Sequence, residues 1–234
     1  PTMKFFIICM KLPMTAETAQ VAYNYVNTKQ VRSYNKQAPG IYKITSLTRN
    51  NGVTKQVTGI YPKKYPNQMI QKMLPAAFEV IEQQTTMQFP IDISTYKLPA
   101  KPELGNGVYI NYFSETFEKG IPEALKKYMT KTAFPPQVHL IDLTKKYDID
   151  DGCTYLYQMV GVEVKGILKS LVQTITKTMI KKIGIETYTN MLDDYDEYLD
   201  LSLEQVLKGE FDGSYKIDFN VENVEEEEEE ESEG

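Results

Sequence analysis

The chain reads as an α+β, β-rich fold, a small antiparallel barrel carrying helical insertions. β-prone runs bounded by turn residues recur along its first two thirds, and helical spacing appears only in separate stretches. No strand–helix alternation of the doubly wound kind is present. The 234 residues are enough to bury a real core. They divide into a basic core over 1–182, an acidic helical or docking segment over 183–220 and a disordered acidic tail over 221–234.

The elements follow in order. Phe5 to Met10 is a compact apolar run, too short for a membrane span and without a small-residue cleavage site, so it reads as a buried strand. Ile41–Leu47 and Val53–Thr58 flank Asn50-Asn51-Gly52, the signature of a tight hairpin. From Asn67, Met69, Ile70, Met73, Leu74, Ala77, Phe78 and Ile81 recur at helical spacing, with Pro75 placed to kink or split the helix. Pro122 opens a short helix through Leu125 and Met129. Strands are predicted at Val108–Phe113, Val138–Leu143 and Thr154–Val164, with Gly161 as a candidate bulge. Ile167 to Ile180 has helical spacing but strand-like Thr, Val and Ile content, and helix is the favoured expectation. Ser202 and Gln205 spell a capping box, and Gly209 ends that helix.

Charge is laid out unevenly. Residues 1–75 hold nine Lys and two Arg against the single acid Glu17, whereas residues 183–234 hold two Lys against nineteen acids, although the net charge is only −6. A basic body followed by an acidic tail is the pattern of a protein that binds a polyanion. Within the basic part, Lys29, Arg32, Tyr34, Lys36, Tyr42, Lys43, Arg49, Lys55, Tyr61, Lys63, Lys64, Tyr65 and Lys72 interleave cations with flat rings. Single-stranded nucleic acid needs both, cations for phosphates and rings for stacking bases. Tyr is also a frequent core and rim residue, and Lys a frequent solvated one. The uninterrupted sequence Glu225, Glu226, Glu227, Glu228, Glu229, Glu230, Glu231 cannot pack against itself. Tethered beside a basic groove, it would compete with nucleic acid there and recruit basic partners when displaced.

Pro39-Gly40-Ile41-Tyr42-Lys43-Ile44 and the Glu-rich terminus resemble the acidic-tailed single-stranded DNA-binding proteins of phages and large DNA viruses, in particular the short-tailed phage replication type. Asp148 to Gly166 is more loosely similar to the late barrel strands of that family. The resemblance implies an OB-fold that coats single-stranded DNA in viral replication, recombination and repair, with RNA as the alternative nucleic acid. It implies a tail that contacts the replicative polymerase and helicase and mediates dimer contacts. This chain ends Ser232-Glu233-Gly234 instead of in an aromatic residue, with Phe219 as a displaced substitute. The runner-up is a viral structural or nucleoprotein-associated assembly protein.

Catalytic patterns are sparse. His139, the one histidine, sits in an apolar strand pattern and reads as a half-buried structural residue. Cys9 and Cys153 lack metal-ligand spacing and suit an intracellular, reducing setting, the cytoplasm or nucleus of an infected host cell. A metal-dependent nuclease would need Asp142, Asp148, Asp150 or Asp151 to converge, but Asp150-Asp151-Gly152 also spells a turn. Phosphate-binding glycine motifs are absent. The expectation is a non-enzyme without cofactor, metal or membrane association.

Overall fold

The computed structural model describes residues 3–66, 68–129, 137–142, 152–166 and 169–208. Eight strands form one open sheet: β1 (Lys4–Leu12), β2 (Tyr42–Asn50), β3 (Val53–Ile60), β4 (Ile81–Gln88), β5 (Ile91–Lys97), β6 (Gly105–Ser114), β7 (Val138–Asp142) and β8 (Thr154–Val164). Among the described residues the α-helices are α1 (Ala16–Gln37), α2 (Gln68–Met73), α3 (Glu123–Lys126), α4 (Lys169–Asp193), α5 (Tyr195–Tyr198) and α6 (Leu203–Lys208). The strand order is β2-β3-β4-β5-β6-β8-β1-β7. Neighbours are antiparallel except β1 and β7, which run parallel. The expected closed barrel of OB type is therefore corrected to an open mixed sheet: β2 and β7 are its two ends and do not pair.

The sheet is unequal along its width. At the β6-β8-β1 end both faces bury apolar side chains, with Asn111 and Gln158 among the buried polar residues of the inner face. Ile8, Met10, Leu156 and Phe113 point to the inner face, where Ala19, Ala22 and Val26 of α1 and Tyr188 and Met191 of α4 bury them. Phe5, Ile7, Cys9, Ile110, Tyr157 and Met159 point outward against Leu125 of α3. Each fully buried Ile, Leu, Met or Phe contributes roughly 1.5–3 kcal/mol, so this end holds the fold together. Burial pushes the Cys9 thiol up to about 12, which makes it a small apolar side chain rather than a nucleophile.

Two sequence devices seat the covering helices. Thr15 caps α1, its hydroxyl accepting from the Thr18 amide at 3.3 Å, and Glu17 and Lys36 complement the helix dipole at opposite ends. Gly184 lets α4 lie close to the sheet: a Cβ there would meet Ile8 Cδ1 at 2.4 Å and Gln158 Oε1 at 3.2 Å. A mid-helix glycine costs roughly 1 kcal/mol relative to alanine, and the close approach offsets it.

The hairpin forms as read, with Asn51 and Gly52 both at positive φ. The Ser202–Gln205 capping box is reciprocal, at 2.9 and 3.1 Å. β8 spans the predicted residues, but its pairing with β1 and β6 runs in register through Gly161, so the bulge expected there is corrected. Glycine is required for another reason: a Cβ would lie 2.6 Å from both Met3 Sδ and the Phe5 ring. Pro75 splits the predicted helix into α2 and a 3-10 turn at Ala76–Phe78, and Ile81 opens β4 instead of closing a helix. Pro122 precedes α3 as its cap. α4 runs without a break across residue 182. His139 lies exposed on the edge strand β7, correcting the half-buried expectation. The tail Glu225–Glu231 and the Asp148–Asp151 cluster lie outside the described residues, as does Gly209.

Candidate functional site

At the β2–β5 end the inner face carries polar side chains, and α1 and α4 roof over it without filling it. The register stacks these groups in rungs across neighbouring strands. Thr58 pairs with Gln83 and Gln83 with Tyr96; Gln56 pairs with Thr85, Thr85 with Ser94 and Ser94 with Tyr109; Asp92 pairs with Asn111. Side-chain bonds tie the rungs. The Thr85 and Ser94 hydroxyls are 2.7 Å apart, and Gln83 donates to the Tyr96 hydroxyl at 2.8 Å. Gln158 donates to the Tyr109 hydroxyl at 2.6 Å and to Asn111 Oδ1 at 3.1 Å.

Between this face and the helices lies a chamber of about 250 Å³. Its floor is the polar ladder. Its roof includes Tyr23, Asn24, Asn27 and Thr28 of α1 and Thr187 of α4, and Val26, Ile44, Met87, Ile183 and Leu207 supply apolar wall. Leu207 of α6 packs with Leu47 and Met87, closing one side. A second, apolar chamber of about 370 Å³ continues along the same face towards the start of α4, lined by Phe78, Ile81, Leu98, Val160, Val162 and Val172 among others. Tyr96 and Tyr109 line both chambers.

The acid in the first chamber is Asp92, 5% exposed. Gln20 Nε2 donates to its Oδ1 at 2.7 Å and Asn24 Nδ2 to its Oδ2 at 3.2 Å. Burial pushes its carboxyl up to about 6, the two amide donors holding it back in part. Burial likewise raises the Tyr23, Tyr96 and Tyr109 phenols, which stay neutral hydrogen-bonding groups at physiological pH. Such a site offers amide and hydroxyl groups, one carboxylate and several ring faces. Among the described residues that line it, none supplies a Ser–His or Cys–His pair. No group of three or more His, Cys, Asp or Glu placed to hold a metal occurs among the described residues.

The thirteen basic and aromatic positions are divided. Lys29 projects from α1 to Asp194 at 3.1 Å and Glu197 at 3.0 Å, and Arg32 is buried at 5% exposure. Tyr34 and Tyr42 lie with ring centroids 6.0 Å apart, and Tyr42 borders the polar chamber. Asn35 holds Tyr42 in place through both backbone groups at 3.0 Å. The hairpin pleat and the irregularity between Ile44 and Ser46 put exposed Lys43 and Lys55 on the outer face. Arg49 falls on the inner one, donating to Thr54 at 2.7 Å. Tyr61, Lys63, Lys64 and Tyr65 come together in a 3-10 turn, with the Lys64 ammonium 4.9 Å from the Tyr61 ring centroid. Lys36 and Lys72 are exposed on α1 and α2. Asp142 is exposed on β7, with Lys11 at 3.9 Å.

Sequence reasoning missed the chamber residues themselves: Gln20, Asn24, Gln83, Thr85, Asp92, Ser94, Tyr96, Tyr109 and Asn111. Their signal was the spacing of polar residues, Gln20 and Asn24 one helical turn apart and Asp92, Ser94 and Tyr96 on alternate positions.

No protein-family model matches the chain, and no curated protein matches it. Among solved structures, the chain is similar to the Zhui aromatase/cyclase of a Streptomyces species at 8% identity, over 85% of this chain and 97% of that one, with a TM-score of 0.40. A norcoclaurine synthase point mutant from Thalictrum flavum, in complex with a transition-state analogue, is similar at 9% identity over 82% and 96%, TM-score 0.41. A protein of Thermus thermophilus is similar at 8% identity over 81% and 98%, TM-score 0.36. At these values the likeness reaches neither activity nor ligand. Among the described residues no helix is long and apolar enough to cross a membrane.

Proposed function

We propose that this chain is a binding protein that encloses an amphiphilic small molecule, with a polar head group in the Asp92 chamber and an apolar portion in the chamber beyond Tyr96 and Tyr109. The observation that carries this reading is the adjacency of a polar and an apolar chamber on one sheet face, sharing two tyrosines. Two roughly small-molecule-sized cavities of opposite character, placed end to end, match a ligand with two such halves. A wholly apolar ligand would strip water from the hydrogen-bonding capacity that the Thr, Gln and Ser ladder keeps beyond its own internal bonds. A wholly polar one would gain nothing from the Val160–Val162 groove.

Titration calorimetry of the full chain with decyl glucoside and with glucose tests this. Decyl glucoside is expected to bind and glucose to bind at least tenfold more weakly. Val162→Trp, which fills the apolar chamber, is expected to abolish decyl glucoside binding while the protein stays folded. Equal affinity for both probes, or unchanged binding by that variant, would refute the reading.

A second reading, single-stranded DNA binding in replication, draws support from exposed Lys43 and Lys55 on the outer face of the hairpin and from the Tyr61–Tyr65 turn. It predicts salt-sensitive binding of a single-stranded oligonucleotide, tightened by removal of residues 221–234.

A further inference from the structure

We infer that Asp92 makes the polar chamber selective for a cationic, ammonium-bearing head group. The inference rests on the amphiphile reading and goes beyond it by fixing the charge of the ligand. Three observations converge on it. First, among the described residues lining the chamber Asp92 is the sole acid, and none of them is Lys, Arg or His. Its carboxylate is buried and receives two neutral amide donors, from Gln20 and Asn24, but no ion pair among the described residues. Buried charges are ordinarily paired, and a carboxylate accepts about four hydrogen bonds, so capacity remains for a charged donor.

Second, Gln20 and Asn24 fix the orientation of the carboxylate. Gln20 bonds one oxygen and Asn24 the other, while Asn24 is itself anchored by donating to the Gln20 backbone carbonyl at 2.9 Å. A pre-oriented acceptor is what a directional N–H donor rewards. Third, Tyr23, Tyr42, Tyr96 and Tyr109 line the same chamber. A carboxylate among tyrosine faces suits an ammonium group, which the ring quadrupoles attract as well. A phosphate or sulfate head would meet Asp92 with no cation to offset the repulsion, and a neutral head would leave Asp92 without a counter-charge.

The groups facing Asp92 are Gln20, Tyr23 and Asn24 of α1, Met87 of β4 and Asn111 of β6. None of them changes charge between pH 5 and 8, so a change in ligand affinity over that interval reports Asp92.

The test compares decylamine, decyl glucoside and decyl phosphate, all below their micellar concentrations, by calorimetry on the full chain and on Asp92→Asn. The wild type is expected to bind decylamine at least tenfold tighter than decyl glucoside, and decyl phosphate weakest. Asp92→Asn is expected to lose at least tenfold in decylamine affinity, and to lose clearly more there than in decyl glucoside affinity. Independently of any variant, wild-type decylamine affinity is expected to fall severalfold from pH 7.5 to pH 5, where the amine stays protonated. Unchanged decylamine affinity in Asp92→Asn, a flat pH response, or preference for decyl phosphate would overturn the inference. Binding of decyl glucoside without preference for decylamine would overturn it and leave the amphiphile reading standing. Binding of none of the three would remove both.

Discussion

Gln20 on α1 and Asp92 on β5, 72 residues apart in sequence, are joined by a buried 2.7 Å hydrogen bond that ties the roof of the polar chamber to its floor. The bond does not fully compensate the burial of a charge, because the Asp92 carboxyl rises from 3.8 to about 6. The folded state therefore holds a proton that the unfolded chain has already released between those values. Stability from this group is fully present below about pH 3.8 and is lost as pH rises through 6. The difference corresponds to about 2 kcal/mol between pH 4 and pH 8 in the ligand-free protein. Asp92→Asn is expected to remove this slope, measured as the pH dependence of the urea midpoint. An unchanged slope in the variant would show that other groups set it.

Removing the Gln20 donor is expected to cost more when Asp92 is ionised than when it is neutral. Hydrogen bonds to charged groups are worth about 1.5–3 kcal/mol, neutral ones about 1. Gln20→Leu is therefore expected to destabilise the protein by about 2 kcal/mol at pH 8 and by about half of that at pH 4.5. In a double-mutant cycle with Asp92→Asn, the two substitutions are expected to be non-additive at pH 8. Additivity there would mean that the bond contributes nothing beyond packing.

The outer-face cations separate the two functional readings. Lys43→Glu combined with Lys55→Glu changes only exposed groups on the face of the hairpin opposite the chamber. Exposed charges of this kind contribute little to stability, so the melting temperature is expected to move by less than about 2 °C. Decyl glucoside affinity is expected to remain within about twofold of wild type. If the chain binds single-stranded DNA through this face, oligonucleotide affinity at low salt falls by tenfold or more and the salt slope becomes shallower. An oligonucleotide affinity indifferent to the double change would remove the DNA reading from this face.

What the sequence disclosed and what it hid have one physical cause. The hairpin, the capping box, β8 and the split at Pro75 were legible because turn chemistry, caps and apolar runs act locally and leave fixed residue signatures. α1, β4 and β5 went unread because the surfaces they bury are polar. α1 turns Gln20, Asn24 and Arg32 inward alongside Ala19, Ala22 and Val26, which blurs the apolar stripe that marks an amphipathic helix. β4 and β5 place Thr85, Asp92 and Ser94 on the covered face; β4 shows no alternation of apolar and polar positions, and the short alternation Ile91-Asp92-Ile93-Ser94 of β5 puts its polar members on that face. Much of the chamber thus lies on the elements that went unread, although Gln56 and Thr58 sit on the predicted hairpin and Tyr109 and Asn111 on the predicted strand β6. The basic stretch from Lys29 to Lys72 was legible as charge, but its distribution over two faces of the hairpin depends on the irregularity between Ile44 and Ser46. A pairing shift of that kind leaves no mark in composition.

Leu207 offers a test of how the chamber is closed. It is 6% exposed and joins Leu47 and Met87 in a small apolar cluster with Ile44 and Leu203, while the neighbouring Val206, fully buried, packs into the main core with α1. The capping box at Ser202 sets where α6 starts, while the exposed Glu204–Lys208 pair adds little. Leu207→Ala is expected to cost about 2–4 kcal/mol locally. Because α6 is a single short helix and Leu207 lies outside the main core cluster, the loss should appear as opening of that segment and not as global unfolding. Amide exchange is expected to accelerate in 203–208 and along β2, while α1 and β8 keep wild-type protection. Dissociation of decyl glucoside is expected to quicken severalfold as this side of the chamber loosens. Uniform loss of protection across the sheet would instead make the cluster part of the global core, and unchanged exchange in α6 would show that other contacts hold it.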